Sequence, residues 1–136
     1  MANEIKTLNQ IVTVNETGEQ IPAIALVITG SFEKILKFIF VKAKGQYKTA
    51  IDIVSDAMQK GSNLLPDEMR FFEEKISADD GSGKQLDAIG ILIDEATKNR
   101  LDAIMTISND KNITSHTTVI TSAVFRGIDE ILKKLV

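Results

Sequence analysis

Hydrophobic positions near the start of the chain follow the pattern of two short β-strands. Residues 5–14 alternate imperfectly, with Ile and Val among Thr and Asn, and residues 21–28 form an apolar run rich in β-branched side chains. The turn-forming residues 15–19 separate the two segments. Short runs of this kind, bounded by turn residues, are typical of paired strands. The pattern therefore predicts an N-terminal β-hairpin.

The following segment, residues 31–43, is apolar on more than one side. Its apolar side chains recur at helical spacing, and Ser31 can cap a helix. A helix is favoured, although a strand buried on both faces also fits the run. A surface helix normally carries one apolar stripe, so we expect this segment to lie centrally in the fold or to contact a partner. Its candidate interaction residues are Phe32, Ile35, Phe38, Ile39, Phe40 and Val41.

Helical spacing of apolar residues dominates the rest of the chain. Residues 47–60 carry a regular stripe that stops at Lys60 and Gly61, an ordinary helix end. Pro66 is suited to open a second helix, residues 84–107 fit one long helix or two, and the chain closes with an amphipathic helix after residue 126. Residues 114–125 fit either a helix or a strand. The tetrapeptide Leu-Asp-Ala-Ile occurs twice, at 86–89 and 101–104, which is too little to indicate a repeat protein.

Together these elements predict an α+β fold that is mostly helical, with an N-terminal β-hairpin followed by several packed helices. An all-α bundle with an N-terminal arm is the alternative. The length of 136 residues is typical of one domain, so we expect a single domain over residues 1–136. Residues 77–83 are the most polar run and the candidate flexible loop.

Composition removes several classes of chemistry. The chain has no Cys and no Trp, and it has one His, which excludes disulfides, zinc knuckles, iron–sulfur clusters and a thiol nucleophile. The loop at 81–84 resembles part of a phosphate loop, but Ala78 and Gln85 stand where that motif requires a Gly and a hydroxyl residue. We therefore predict no cofactor and no metal site.

Lysines are concentrated in one segment of an otherwise acidic chain. The formal net charge of −3 excludes a strongly basic nucleic-acid binder. A local basic segment could still hold phosphates, with Phe40 or Tyr47 stacking on a base. Nucleic-acid binding is therefore an alternative function, though not the favoured one. The candidate phosphate-binding residues are Lys34, Lys37, Lys42, Lys44 and Lys48.

A single imidazole, His116, is the only candidate for histidine-based catalysis. A small enzyme would need an acid to orient it, and Asp110 or Asp129 could supply that acid. This second alternative predicts a cleft that contains His116 with a carboxylate within hydrogen-bonding reach.

The leading hypothesis is different from both alternatives. It rests on the surplus of apolar surface and on the segregation of basic and acidic residues along the chain. We expect a non-enzymatic assembly or protein–protein interaction subunit that forms a homo-oligomer or binds a protein partner. Small structural proteins of phages or mobile elements have this profile. The longest apolar stretch, residues 21–41, is interrupted by charged residues, so no membrane span is predicted. A cytoplasmic location, or a place in a virion, follows as the expectation.

Overall fold

The chain folds as two successive units, each built of two strands followed by two helices. The computed structural model describes residues 5–14, 16–62, 64, 66–78 and 80–135. The first unit contains β1 (Lys6–Thr13), β2 (Gln20–Val27), α1 (Gly30–Lys42) and α2 (Ala50–Gly61). The second contains β3 (Arg70–Ser77), β4 (Gln85–Leu92), α3 (Glu95–Ile107) and α4 (His116–Leu135), after a short 3₁₀ helix at Pro66–Glu68.

Several elements agree with the sequence-based predictions. The N-terminal hairpin is confirmed as β1 paired with β2, while Asn15 in its turn lies outside the described residues. The helix over residues 31–43 is confirmed as α1, and the stripe over 47–60 as α2. The ambiguous residues 114–125 are helical from His116 onward. For the hairpin, α1 and α2 the observed secondary structure is the one the apolar pattern favoured, whereas for residues 114–125 the sequence had left helix and strand open.

The structure is α+β, but the prediction that it is mostly helical is wrong, because two strands stand where helices were predicted. Helices make up 48% of the structure and strands 25%, so it is neither mostly helical nor an all-α bundle. Pro66 opens only the 3₁₀ helix, and the chain then enters β3. The first part of the predicted helix over 84–107 is β4. Apolar residues in short runs fit both periods, and pairing with a distant strand decides between them.

All four strands form one antiparallel sheet in the order β1-β2-β4-β3. At its centre β2 pairs with β4, and Ala25 lies opposite Gly90, the residue in the same position of its own strand. The two ends of this pair are also equivalent, because Ile28 donates to the carbonyl of Asp87 and Ile93 to that of Pro22, both at 2.8 Å. The two halves are therefore related by an approximate two-fold axis through the sheet centre.

The sequence carries a trace of this symmetry. Residues 20–29 read QIPAIALVIT and residues 85–94 read QLDAIGILID. Both segments form a central strand and end on the residue before a helix, Thr29 or Asp94. The Leu-Asp-Ala-Ile echo compared parts of the chain that are not equivalent, since it pairs a strand with a helix. Comparing whole strand-and-helix segments is the signal that would have found the repeat.

The main core lies between the helices and one face of the sheet. Ile24, Leu26, Ile89 and Ile91 point from the central strands into this core, where they join residues of all four helices. The opposite sheet face carries a second, smaller apolar cluster that includes Ile21, Leu92 and the ring of Phe72. Both central strands are therefore buried on two faces. Such a strand reads as a continuous apolar run rather than as an alternating pattern.

Helices α2 and α4 form the most extensive helix–helix contact in the core. Gly61 was interpreted from sequence as an ordinary helix-ending glycine, but its φ is not positive. Its neighbours give a different reason for the glycine, since a Cβ there would lie 2.7 Å from the amide nitrogen of Gly127 on α4. Close helix approach, rather than a left-handed cap, explains this residue.

The polar segment between β3 and β4 is a hairpin connection. Ala78 donates to the carbonyl of Lys84 at 2.8 Å, and Gly81 and Gly83 both have positive φ. These backbone angles favour glycine, so the glycines serve the turn. That the loop over 77–83 is flexible stays a prediction, as does the single domain over 1–136. Asp79, residues 1–4 and Val136 lie outside the described residues.

Candidate functional site

The candidate interaction residues of α1 divide between core and surface. Phe32 and Ile39 are buried in the main core, and Ile35 and Phe40 are partly buried against it. Phe38 is 40% exposed and Val41 74% exposed. These last two are the exposed members of the set, whereas the other four are buried or partly buried in the core.

All five lysines of the candidate phosphate-binding segment are exposed. Lys37 lies 3.7 Å from Glu33, and the ammonium of Lys42 lies 5.9 Å from the ring centroid of Phe38. Phe38 is therefore the aromatic residue associated with these lysines, rather than the half-buried Phe40.

Tyr47, the other aromatic residue considered for base stacking, is tied to the protein. Its hydroxyl donates to Asp56 at 2.5 Å, and Asp56 in turn accepts from Lys60 at 2.6 Å. Burial, together with the hydrogen bond to Asp56, raises the pKa of Tyr47 to about 12. Burial opposes ionisation of Asp56 too, but its hydrogen bonds with Lys60 and Tyr47 hold the pKa of that carboxyl below its usual range.

The two edge strands differ in character although they occupy equivalent places. On β1, Leu8 is 44% exposed on one sheet face and Ile11 62% exposed on the other. On β3, three of the four exposed residues are charged, namely Arg70, Glu73 and Lys75, whereas Lys6 is the one charged residue of β1. Charged residues discourage an edge strand from pairing with another chain, whereas an apolar edge invites it. The β1 edge is therefore the less protected one.

A hydrogen bond crosses the sheet face opposite the helices, from one edge strand to the other. The side-chain amide of Gln10 on β1 donates to the carboxylate of Glu74 on β3. Each residue lies opposite the fourth residue of its neighbouring central strand, Ala23 or Ala88. Gln10 and Glu74 are thus equivalent across the two-fold axis. Their side chains span the two central strands above Ala23 and Ala88, whose methyl groups are small, while the ring of Phe72 covers Gly90.

Two clefts are also related by the two-fold axis, each between an edge strand and the start of a long helix. The β1 cleft, about 480 Å³, lies between β1 and the N-terminal end of α4. The β3 cleft, about 460 Å³, lies between β3 and the N-terminal end of α2. Both volumes fall in the range of small-molecule sites, roughly 300–1,000 Å³.

His116 lies in the β1 cleft and is held by a carboxylate. Its Nε2 is 2.6 Å from Oδ1 of Asp102, which accepts the hydrogen bond, and Lys98 lies 3.7 Å from the other oxygen. The hydrogen bond with His116, aided by Lys98, holds the pKa of the Asp102 carboxyl below its usual range. The acid beside the histidine is thus neither Asp110 nor Asp129. Asp102 is fourteen residues away on α3, and no local sequence signal indicates the pairing.

The hydroxyl residues next to His116 do not complete a catalytic triad. Ser115 and Thr118 hydrogen-bond each other reciprocally, with each side chain accepting from the other's backbone N–H. Thr49 and Asp52 form the same capping box at the start of α2. Ser115 thus closes the first turn of α4 in the way that Thr49 closes that of α2. His116 and Asp102 form a dyad, and none of the described residues offers a hydroxyl group bonded to the imidazole.

The two clefts have diverged in chemistry. The β1 cleft has an apolar floor with Lys98 and His116 at its side. The β3 cleft is lined by the side chains of Glu73, Lys75 and Asp87, and Lys75 forms an ion pair with Asp87. One half of the fold therefore presents an apolar cleft with cationic and imidazole groups, and the other a mainly acidic one.

Within the described part of the chain, no group of three or more His, Asp or Glu side chains is placed to hold a metal ion. None of the described helices has the length and apolar character needed to cross a lipid bilayer. Comparison with protein-family models, with curated proteins and with solved structures finds no match to this chain, so function has to be argued from its own surfaces.

Proposed function

We propose that this protein is a self-associating subunit whose β1 strand pairs with β1 of a second copy. The supporting observation is the contrast between the edges of one sheet. Leu8 and Ile11 are exposed along β1, whose one charged residue, Lys6, is at its end, and three charged residues are exposed along β3. Within a fold built from two equivalent halves, this difference is not required by the architecture. It is the difference expected if β1 is covered in an assembly and β3 faces water.

The pairing is self-complementary in an antiparallel register about a two-fold axis. With two Gln10 residues at the axis, Leu8 of one copy lies opposite Val12 of the other, and Asn9 opposite Ile11. Opposed apolar pairs stabilise a sheet, and like charges destabilise it. The same arrangement of β3, centred on the equivalent Glu74, would oppose two carboxylates. Charge thus supports the β1 pairing over the β3 pairing.

The strength of the association follows from its size. One edge strand gives a smaller interface than the roughly 800 Å² per partner of standard stable complexes. We therefore expect a reversible dimer, with an eight-stranded sheet, that dissociates on dilution. Whether it serves a phage or mobile-element particle stays a prediction, as does a cytoplasmic location.

Sedimentation velocity over a wide concentration range tests the proposal. The wild-type protein should shift from monomer to dimer as concentration rises, and Leu8→Lys should shift the transition to higher concentration by adding charge at the edge. The matched control is Ile107→Lys, which replaces another exposed apolar residue on α3 and should leave the transition unchanged. A protein that stays monomeric throughout, or a dimer that Leu8→Lys leaves intact, would contradict the proposal.

The exposed lysines support a second candidate function, binding of nucleic acid through the segment from Lys34 to Lys48. All five lysines face solvent together with the exposed ring of Phe38. Lysines can neutralise phosphates and an exposed aromatic ring can stack on an unpaired base. The chain's net negative charge makes this the less favoured candidate.

A further inference from the structure

We infer that the β1 cleft binds a small organic acid, with its apolar body on the cleft floor and its carboxylate beside Lys98 and His116. This inference does not depend on self-association, because it concerns the space between β1 and α4 within one chain. It rests on four features of the cleft, namely its shape, its floor, its charge and its difference from the β3 cleft.

The floor of the cleft is apolar, and part of it is exposed to solvent. Ile24 and Ile93 are buried beneath it, while Ile11 and Pro22 are exposed at its sheet side. A volume of about 480 Å³ accommodates an acyl chain or an aromatic ring. Binding sites of this kind join a largely apolar lining to a few polar groups that fix the orientation of the ligand.

The polar groups at the side of the cleft favour an anion. Lys98 supplies a cation. Its ammonium lies 3.7 Å from Asp102, which is not among the lining residues of the cleft, and no other carboxylate residue lines it. Asp102 accepts from Nε2 of His116, which fixes the imidazole at the side of the cleft, where its signals can report on a bound ligand. Of these groups, the Lys98 ammonium is the one that can bind a carboxylate through a charge-assisted hydrogen bond.

The β3 cleft provides an internal comparison. Its position in the second half of the sheet is equivalent, yet the carboxylates of Glu73 and Asp87 line it. An organic anion is repelled there, so shape alone does not make the two clefts interchangeable. The inference therefore predicts one site per chain, on the His116 side.

The experiment uses octanoate as the probe and His116 as the reporter. Because His116 is the only histidine, its imidazole gives one assignable set of NMR signals. Titration with octanoate, kept below its micelle concentration, should shift these signals saturably. Octanol should bind about tenfold more weakly because it lacks the charge, and octylammonium should not produce the saturable shift.

Variants on the two sides of the sheet complete the test. Lys98→Gln should weaken octanoate binding about tenfold, and since Lys98 is exposed the variant should fold. Lys75→Gln, in the β3 cleft, is the matched control and should leave the affinity unchanged. The inference is overturned if the imidazole signals do not move, if the three probes bind equally well, or if Lys75→Gln weakens binding as much as Lys98→Gln. Sedimentation of the same variants reports self-association separately, so the two proposals can fail independently.

Discussion

Gly61 and Gly127 occupy equivalent positions in α2 and α4, and each lies against the backbone of the other helix. A Cβ at Gly127 would approach the carbonyl oxygen of Ala57 to well under 3.0 Å, and one at Gly61 would meet the carbonyl of Ala123 in the same way. The two glycines therefore allow the helices to cross at the two-fold axis with their backbones nearly in contact. The neighbouring core residues are also equivalent, since Ala57 corresponds to Ala123.

Gly127→Ala is expected to destabilise the protein by about 1–3 kcal/mol, the usual range for overpacking a core. A loss of stability is informative because helix propensity predicts the opposite. Gly127 lies inside α4, where replacing glycine by alanine would by itself favour the helix by about 1 kcal/mol. Denaturant unfolding gives the free-energy change. Asp129→Ala, at an exposed position of the same helix, is the control and should stay within about 0.5 kcal/mol of wild type. A stabilised Gly127→Ala protein would disprove the close crossing.

Tyr47 is expected to ionise late. It is the only tyrosine, so the ultraviolet absorbance of its phenolate reports one group, with a midpoint near pH 12 in the folded protein. The unfolded chain should titrate near pH 10. Since the folded-state pKa is the higher one, this stabilisation is complete below about pH 10 and is lost as the pH rises towards 12. Asp56→Asn should lower the midpoint by removing the acceptor's charge, whereas an unchanged midpoint would show that burial alone sets it.

His116→Ala is expected to raise the pKa of the Asp102 carboxyl towards its ordinary value. The hydrogen bond with His116 is the leading cause of the lowered pKa, with Lys98 contributing. The stabilisation from a lowered carboxyl pKa is present above the ordinary Asp range and is lost as the pH falls through the lowered value. Carbon-13 NMR of the carboxyl group measures the titration directly. Lys98→Gln should raise the pKa of Asp102 by less than His116→Ala does. An equal or larger rise would show that His116 is not the leading cause.

Lys34→Glu combined with Lys37→Glu tests the nucleic-acid candidate. Removing two phosphate contacts should weaken binding to single-stranded DNA and reduce its salt dependence. Fluorescence anisotropy at several salt concentrations measures both. Lys133→Glu combined with Lys134→Glu changes the net charge equally at the end of α4. If the affinity for single-stranded DNA falls equally in both double variants, binding depends on overall charge and the α1 segment is not the binding site.

Local sequence predicts the elements whose apolar period is unambiguous. The stripe of α2 predicts a helix because its apolar residues occupy one face, and Thr49 and Asp52 supply its capping box. The hairpin of β1 and β2 is predictable because its turn and its β-branched runs are contiguous in the chain. Each of these signals is contained within a few residues.

The candidate sites were less accessible to sequence reasoning. His116 was recognisable as the only imidazole, but its carboxylate partner Asp102 is on another helix and could only be found from the packing of α3 against α4. On α1, the apolar surplus was recognisable, but not that Phe38 and Val41 face outward while Phe32 and Ile39 face the core. Which face of an element is covered depends on what packs against it.

The sequence by itself determined the N-terminal hairpin, the helices with a clear stripe or cap, and the absence of cysteine chemistry, because these depend on local period and on composition. Tertiary structure decided that β3 and β4 are strands, because their apolar residues also fit a helical period and only pairing in the sheet separates the two. It also decided the need for glycine at Gly127 and the position of His116 beside Asp102. Both depend on contacts between segments distant in the chain, which no local pattern records.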